Sequence, residues 1–254
     1  MFVTALFVGG FANRIFQMLA CYKVAEETGR KVVWDQLQMG GNPHEPTQET
    51  MQLLLELFPD TLTVSISDWK RCLERLGGEY EYQPEIYSSV PKEQPIEIIG
   101  FFQNLDWMPK KFPIVAQRIY RNTVFLHIRL GDYVGSPFDV NLQQKYYSNA
   151  IQYIKGHTTE TIHFLVFSDT PTKAEEIVKG LPCKDSYTMS SAKRSLDVLR
   201  EMAACCGGVC SNSSLSFLGA FFQQSHRGIV TVPKVWRMPD MVGPPIPWAI
   251  VIDN

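Results

Sequence analysis

The sequence lacks most of the short motifs that mark common nucleotide-using and hydrolytic enzymes. It has no G-x-x-x-x-G-K-[ST] phosphate loop and no G-x-G-x-x-G turn followed by a suitable acid, so neither a P-loop enzyme nor nicotinamide chemistry is indicated. The absence of a G-x-S-x-G elbow argues against an esterase triad. No D-x-D pair is present to hold a metal ion on a diphosphate. Any diphosphate would have to be neutralised by arginine and backbone donors instead.

Strong net charge and long apolar runs are also absent. The 254 residues carry a net charge of −2, with 45% hydrophobic and 20% charged residues, which is ordinary for a globular protein and gives no basic surface for nucleic acid. No run approaches the roughly 18 apolar residues of a membrane span. The segment Met1–Val8 lacks a basic leader and a cleavage site, so it is predicted as a first strand rather than a signal peptide. We therefore expect a cytoplasmic protein.

The six cysteines form no C-x-x-C pair, and several lie in apolar runs. This spacing favours reduced, buried thiols over disulfides or a zinc site.

Strands and helices alternate along the chain, which is typical of parallel sheets in α/β proteins. We predict two facing doubly wound domains, residues 1–120 and 121–254, with a C-terminal tail that packs back on the first domain. The predicted strands are Phe2–Val8, Lys31–Trp34, Leu62–Ile66, Ile96–Phe102, a central strand from Thr123, Ile162–Phe167, Gly208–Cys210 and Gly228–Val232. The predicted helices run from Asn13 (as N-cap) to Gly29 and over Met51–Phe58, Asp68–Leu76, Leu142–Ile154, Thr172–Lys179, Ser195–Cys205 and Leu215–Gln224. The segment Glu79–Pro95 is predicted as a loop.

The stretch Thr123–Tyr133 is the segment around which the rest of the chain is organised. It begins as an apolar strand and ends in polar residues, and open α/β sheets place their ligand sites at such strand ends. The guanidinium of Arg129 has a permanent charge and a planar fork of donors that suits a pyrophosphate. The alternative is an Arg129–Asp132 ion pair beside a histidine, His127, at the edge of the core.

Two further strands of the second half end in polar clusters, and the first strand of the chain ends in a glycine turn. Helix N-termini with hydroxyl residues attract anions, so we expect the clusters to converge on a nucleotide diphosphate with Arg129 as charge partner. Helix capping is the alternative for the serines and for Ser168–Asp169, and the helix dipole accounts for Asp197. The residues of these clusters are Ser168, Asp169, Asn212, Ser213 and Ser214, with Gly9, Gly10, Asn13 and Arg14 in the first turn.

These residues resemble the α-1,2-fucosyltransferase family. The segment Gly9–Gln17 (G-G-F-A-N-R-I-F-Q) is similar to G-G-x-G-N-Q-x-F-Q, and His127–Tyr133 (H-I-R-L-G-D-Y) is similar to H-x-R-R-G-D-Y. Phe167–Thr170 (F-S-D-T) resembles F-S-D-D, and Asn212–Ala220 (N-S-S-L-S-F-L-G-A) resembles N-S-S-F-S-W-W-G-A. The four motifs occur in the family's order and, with Pro233–Trp236, extend over nearly the whole chain.

The resemblance implies a GT-B fold and an inverting, metal-independent transfer of a sugar from GDP-L-fucose to a glycan hydroxyl, without a cofactor. It implies that Arg129 stabilises the leaving GDP, that Ser213 and Ser214 hold phosphate oxygens, and that His127 and Asp197 contact guanine or ribose. The resemblance also implies a donor role for Ser168, Asp169, Gly10 and Arg14, and a place at the reacting sugar for Asn13. Asp132 is a candidate catalytic residue, as the base for the acceptor hydroxyl, and Asp139 is the alternative, since pairing with Arg129 would occupy Asp132.

The sequence departs from the family pattern at several positions, above all at Leu130, where a second arginine is usual. This loss is compatible with a different GDP-linked deoxyhexose such as rhamnose, with compensation by Arg14, or with a non-catalytic GDP-sugar or glycan-binding protein. The other departures are Ala12, Arg14, Thr170 and Leu218.

Overall fold

The computed structural model consists of two units, Met1–Ile114 and Val115–Asn254. The structure describes residues 1–35, 47–64, 74–77, 85–110, 120–139, 144–223, 228–237, 241–242 and 246–254. The division falls a few residues before position 120, and the predicted acceptor and donor roles of the two units stay predictions.

The described part of the first unit contains a five-stranded parallel sheet in the order β3-β2-β1-β5-β4. Both β2 and β5 flank β1, so the chain winds outward from β1 on one side and then returns to its other side. The strands are β1 (Phe2–Ala5), β2 (Lys31–Asp35), β3 (Leu62–Val64), β4 (Glu74–Gly77) and β5 (Ile96–Ile99), and the helices are α1 (Phe11–Thr28), α2 (Thr47–Leu57) and α3 (Glu85–Ser88).

The described part of the second unit contains a six-stranded parallel sheet in the order β13-β10-β9-β6-β7-β8 and a small antiparallel pair, β11 and β12. The strands are β6 (Tyr120–Ile128), β7 (His163–Ser168), β8 (Tyr187–Met189), β9 (Cys205–Val209), β10 (Val230–Pro233), β11 (Val235–Arg237), β12 (Met241–Val242) and β13 (Ile250–Ile252). The helices are α4 (Gln144–Gly156), α5 (Pro171–Val178), α6 (Ser195–Ala204) and α7 (Ser214–Phe222). The prediction of an α/β protein with two doubly wound units is confirmed.

The core of the second unit forms between the sheet and the apolar face of α4. Tyr146, Ala150 and Ile154 recur at helical spacing on that face and are buried in one hydrophobic cluster with residues of β6, β7 and β9. The predicted inner face of α6 is also confirmed, since its four residues are buried: Leu196, Leu199, Met202 and Ala203. Gly219 on α7 lies so close to Met202 that an added Cβ would overlap that side chain, so glycine lets the two helices approach.

The predicted helix and the predicted loop that follow α2 need correction. Most of the helix Asp68–Leu76 lies outside the described residues, but its end is wrong because Glu74–Gly77 pairs in parallel with β5. Backbone hydrogen bonds to a neighbouring strand override a local helical pattern here. The segment Glu79–Pro95 also contains one helical turn, Glu85–Ser88.

The five cysteines in the described part of the chain form no disulfide, and burial raises the pKa of each thiol. The prediction of reduced thiols is confirmed for them, while Cys72 lies outside the described residues. None of the helices in the ranges given above is both long and apolar enough to cross a membrane. The strand β13 completes one edge of the second sheet, and the predicted packing of the tail on the first domain stays a prediction.

Candidate active site

The polar strand ends of the second unit lie at the point where its sheet reverses direction. From β6 the chain runs outward through β7 and β8, and it then returns to the other side of β6 to form β9. Loops after two adjacent strands diverge at such a point, and they leave a crevice at the carboxyl edge of the sheet. The loops after β6 and β9 carry Arg129 and Ser213, which explains why residues distant in sequence share one edge.

Arg129 follows β6 directly and is held by two carboxylates. Its Nη2 lies 2.5 Å from Oδ1 of Asp132, and its Nη1 lies 3.1 Å from Oδ2 of Asp169. Its guanidinium also covers the ring of Tyr133 at 5.1 Å. The side chain keeps 15% of its exposure, so it is fixed in direction and still reachable by a ligand. The Arg129–Asp132 pair foreseen in the sequence is therefore present, and Asp169 joins it.

Asp169 orders the loop after β6. Its Oδ1 accepts a hydrogen bond of 3.1 Å from the backbone N–H of Leu130. Gly131 lies against the same carboxylate with φ +25°, and a Cβ there would overlap Asp169. Leu130 packs against the hydrophobic core of the second unit. The residue that stands in place of a second arginine thus anchors the loop instead of contributing charge.

The capping interpretation of Ser168–Asp169 is wrong. The N-cap of α5 is Thr170, without a side-chain capping bond, and Pro171 occupies the first turn, where its missing N–H costs nothing. Ser168 accepts a hydrogen bond from the N–H of Thr170 and so shapes the turn before the helix. The carboxylate of Asp169 instead pairs with Arg129.

His127, the penultimate residue of β6, is buried beside Arg129. Its Nδ1 lies 2.5 Å from Oγ of Ser216 and 3.1 Å from Oγ of Ser211. Burial, with a smaller contribution from the charge of Arg129, lowers the pKa of His127 to about 3. The imidazole is therefore neutral at physiological pH, which agrees with its place beside a cation.

A stack of aromatic rings and guanidinium groups extends from Arg129. Tyr133 stacks on Phe138 with the ring centroids 5.1 Å apart, and the guanidinium of Arg237 lies over the ring of Phe138 at 5.3 Å. The hydroxyl of Tyr133 hydrogen-bonds to the side chain of Ser213, and burial raises its pKa. Each layer restricts the next, so the stack limits the planes that the guanidinium of Arg129 can adopt.

Asn212 joins the stack to β11. Its Nδ2 donates to the carbonyl oxygens of Phe138 and Trp236, each at 2.8 Å. Both acceptors belong to segments that carry members of the stack, so this buried amide fixes the loop after β6 relative to β11.

Ser213 is the N-cap of α7, and its Oγ accepts a hydrogen bond of 3.3 Å from the N–H of Leu215. The capping interpretation of Ser213 is confirmed, and Ser214 is the first residue of the helix. Asp197 lies in the first turn of α6, paired with Arg194 at 2.9 Å and with Arg200 at 3.6 Å. The predicted ligand roles of these residues stay predictions.

In the first unit, Asn13 lies at the corresponding switch point, between β1 and β5. It is not the N-cap of α1, because Gly10 takes that position and Asn13 falls within the first helical turn. Its Oδ1 accepts a hydrogen bond of 2.9 Å from Nε2 of Gln103, which follows β5. Gly9, with φ +77°, lies against the amide group of Asn13 and leaves no room for a Cβ. The side chain of Asn13 is thus held by the loop after β5, while the N-cap position of α1 belongs to Gly10.

The loop that carries Gln103 is strained. Phe102 has φ +51°, a left-handed conformation that is uncommon for a bulky residue, and it is held there by edge-on packing against Trp107 at 4.9 Å. Such strain often accompanies functional sites. Arg14 is fully buried, and its Nε donates to the carbonyl oxygen of Gly9 at 2.9 Å, so within the first unit it stabilises the glycine turn.

Several members of these networks were missed in the sequence. Serine and glutamine carry no strong local signal, and Phe138 and Arg237 lie outside the motifs. Only the position of Ser216 within the Asn212–Ala220 motif could have suggested a role. The missed residues are Gln103, Phe138, Ser211, Ser216 and Arg237.

Residues 111–240, slightly more than half of the chain, match the model of glycosyl transferase family 11. The chain belongs to this family. The resemblance to fucosyltransferases found in the motifs is thereby confirmed, and so is the prediction of a glycosyltransferase at the level of the family.

Two curated proteins of Escherichia coli are similar to this family 11 chain. The O-antigen biosynthesis glycosyltransferase WbnK is 33% identical over 119 residues, which are 45% of this chain and 39% of that protein. An alpha-1,2-colitosyltransferase is 24% identical over 218 residues, which are 71% of this chain and 69% of that protein. The match to WbnK thus spans well under half of that relative's length.

Solved structures support the fold. The fucosyltransferase NodZ from Bradyrhizobium is similar with a TM-score of 0.51 at 10% identity, over 85% of this chain and 90% of that one. The E. coli heptosyltransferase WaaC gives a TM-score of 0.51 at 12% identity, over 99% and 92%. The fold is therefore of the GT-B type, as predicted.

Proposed function

We propose that this family 11 chain transfers L-fucose from GDP-L-fucose to a hydroxyl group of a glycan. The observation that carries the proposal is Arg129, a directed and partly exposed guanidinium at the switch point of the second sheet. A diphosphate leaving group gains negative charge as its bond to the sugar breaks, and a guanidinium already held in place stabilises that charge without reorganisation.

The carboxylates beside Arg129 offset its positive charge, so a diphosphate needs further groups to stabilise it. Asp132 and Asp169 more than balance the single guanidinium, and His127 is neutral. Further stabilisation of a diphosphate is therefore assigned to backbone N–H groups and hydroxyls at the start of α7, where Ser213 and Ser214 lie. Asp132, whose side chain is 56% exposed, is the carboxylate that an incoming ligand can displace from Arg129 more easily.

The finer features of the reaction are part of the same proposal. The motif resemblance supports inversion, metal independence and a site for Asn13 at the reacting sugar. The name of the colitosyltransferase relative supports an α-1,2 linkage. The donor sugar is the least constrained feature, since rhamnose and other GDP-linked deoxyhexoses place the same diphosphate at Arg129. A cytoplasmic location remains a prediction.

Nucleotide choice tests the proposal. GDP at about 100 times its Kd should raise the melting temperature by roughly 5–10 °C, because a ligand that binds only the folded state stabilises it. UDP at the same concentration should have little effect. Greater stabilisation by UDP would contradict the assignment of the donor.

Transfer itself separates an enzyme from a non-catalytic binding protein. Labelled GDP-fucose should yield labelled glycan and free GDP from a panel of glycan acceptors, and turnover should persist in excess EDTA. Restoration by Mg²⁺ of an activity lost in EDTA would contradict metal independence, and GDP binding without either transfer or donor hydrolysis would favour the binding protein.

A further inference from the structure

The hydrogen bonds around His127 determine which ring nitrogen carries its proton. Three polar atoms form a closed triangle: Nδ1 of His127, Oγ of Ser216 and Oγ of Ser211, with the two hydroxyl oxygens 3.1 Å apart. Ser216 Oγ also accepts the backbone N–H of Ser211 at 3.2 Å. Both serines are fully buried, and in the described part of the chain their hydroxyl groups have no hydrogen-bond partner outside this group. Each hydroxyl proton therefore needs an acceptor inside the group.

If Nδ1 carried the proton, the triangle would contain three protons for three contacts. Nδ1–H would donate to Ser216 Oγ and the Ser216 hydroxyl to Ser211 Oγ, so the Ser211 hydroxyl proton would have no acceptor among its partners in the described residues. A buried donor without an acceptor is costly. With the proton on Nε2, the Ser216 hydroxyl donates to Nδ1 and the Ser211 hydroxyl donates to Ser216 Oγ or to Nδ1. Every proton then has an acceptor.

We propose that Ser216 and Ser211 are positioning residues that hold His127 as the Nε2–H tautomer, so that Nε2 donates a hydrogen bond to an acceptor oxygen of the bound nucleoside diphosphate. His127 is the penultimate residue of β6 and Arg129 follows that strand directly, so both lie at the carboxyl edge of the sheet. His127 is buried but keeps 4% of its exposure as a residue, so its contact with solvent is narrow. The contact with nucleotide rests on the proposed function, whereas the tautomer rests on the triangle alone.

This arrangement gives the site a donor without a second charge. The low pKa of His127 keeps the ring neutral beside Arg129, so Nε2–H is present over the whole physiological range. A neutral donor held by two serines can contact an anion or a hydroxyl without the desolvation cost that a buried imidazolium would bring.

Nuclear magnetic resonance of protein labelled with ¹⁵N at histidine tests the tautomer directly. In the free wild-type protein, we expect an unprotonated Nδ1 and a protonated Nε2 for His127, assigned by comparison with His127→Gln. Titration with GDP should shift the Nε2–H resonance. A proton on Nδ1 would overturn the proposal, as would an Nε2–H resonance that does not move when GDP is bound.

Variants test the positioning role. Ser216→Ala should shift the Nδ1 resonance and weaken GDP binding about two- to tenfold, the range expected for one neutral hydrogen bond. His127→Gln, whose amide nitrogen reaches the Nε2 position, should keep more GDP affinity than His127→Asn, which does not reach it. Ser186→Ala is the matched control, because Ser186 Oγ bonds to the carbonyl of Ile162 at the opposite, amino edge of the sheet.

The outcomes separate this inference from the proposed function. Equal GDP affinity of wild type, Ser216→Ala and both His127 variants, with folds intact by circular dichroism, would overturn the positioning role while the GDP-binding function stands. Failure of the wild type to bind GDP at all would overturn the proposed function and the nucleotide contact, whatever tautomer is observed.

Discussion

Replacement of Arg129 by lysine tests the centre of the proposed site. Lysine keeps the positive charge but has one ammonium group in place of a planar fork. The guanidinium meets Asp132 and Asp169 with separate nitrogens and lies over the ring of Tyr133. One ammonium group cannot keep all three contacts and also face a ligand.

The expected effects on stability and on rate differ widely. Asp132 is 56% exposed and Asp169 is 23% exposed, and ion pairs open to solvent contribute on the order of 1 kcal/mol or less each. Asp169 also keeps its hydrogen bond from the N–H of Leu130. Arg129→Lys should therefore fold. Loss of one preorganised donor to a developing anion costs about 10²–10³ in rate, and Leu130 offers no charge in compensation.

The assay compares initial rates of sugar transfer at saturating donor for wild type, Arg129→Lys, Arg129→Ala and Arg121→Lys. Arg121 is an exposed residue near the start of the same strand, β6, so it controls for a general effect of the exchange. Both Arg129 variants should melt within a few degrees of wild type and lose at least 99% of turnover. Retention of more than about a tenth of the wild-type rate would refute the role given to Arg129, because the loss of about 10² would not have occurred.

Three further variants follow from the geometry. Asn13→Ala should abolish transfer but keep GDP binding in titration calorimetry and change stability by no more than about 1 kcal/mol, because Asn13 is not a cap; a purely structural loss would contradict this. The pKa of His127 is 6.5 in the unfolded chain and about 3 in the folded one, so the free energy of unfolding should decrease as the pH is lowered from 6.5 to 3, by up to about 1.4 kcal/mol per pH unit. In denaturant titrations His127→Asn should flatten this decline, whereas the control His157→Asn, at an exposed position, should not. Gly131→Ala should slow transfer more than about tenfold by displacing Asp169, and unchanged kinetics would exclude that coupling.

The sequence predicted the architecture and the location of the site because both depend on local patterns. Apolar strands followed by amphipathic helices indicate parallel sheets, and polar residues at strand ends mark the carboxyl edge. Ile162–Phe167 and Ser195–Cys205 were predicted within one residue at each end. The prediction failed where a distant partner competes with local preference, as at Glu74–Gly77, which pairs with β5.

The networks that direct the side chains were decided by tertiary structure. Asp169 has the sequence context of a helix cap, yet it pairs with Arg129 and accepts a hydrogen bond from the N–H of Leu130. These residues are distant in sequence but close in space, because β7 lies beside β6. Ser216 reaches His127 because β9 returns to the other side of β6. The sequence by itself determined that an arginine and a histidine end a buried strand in a family 11 chain. The order of strands in the sheet decided which carboxylates and hydroxyls surround them, since that order depends on the packing of the whole unit and not on any local segment.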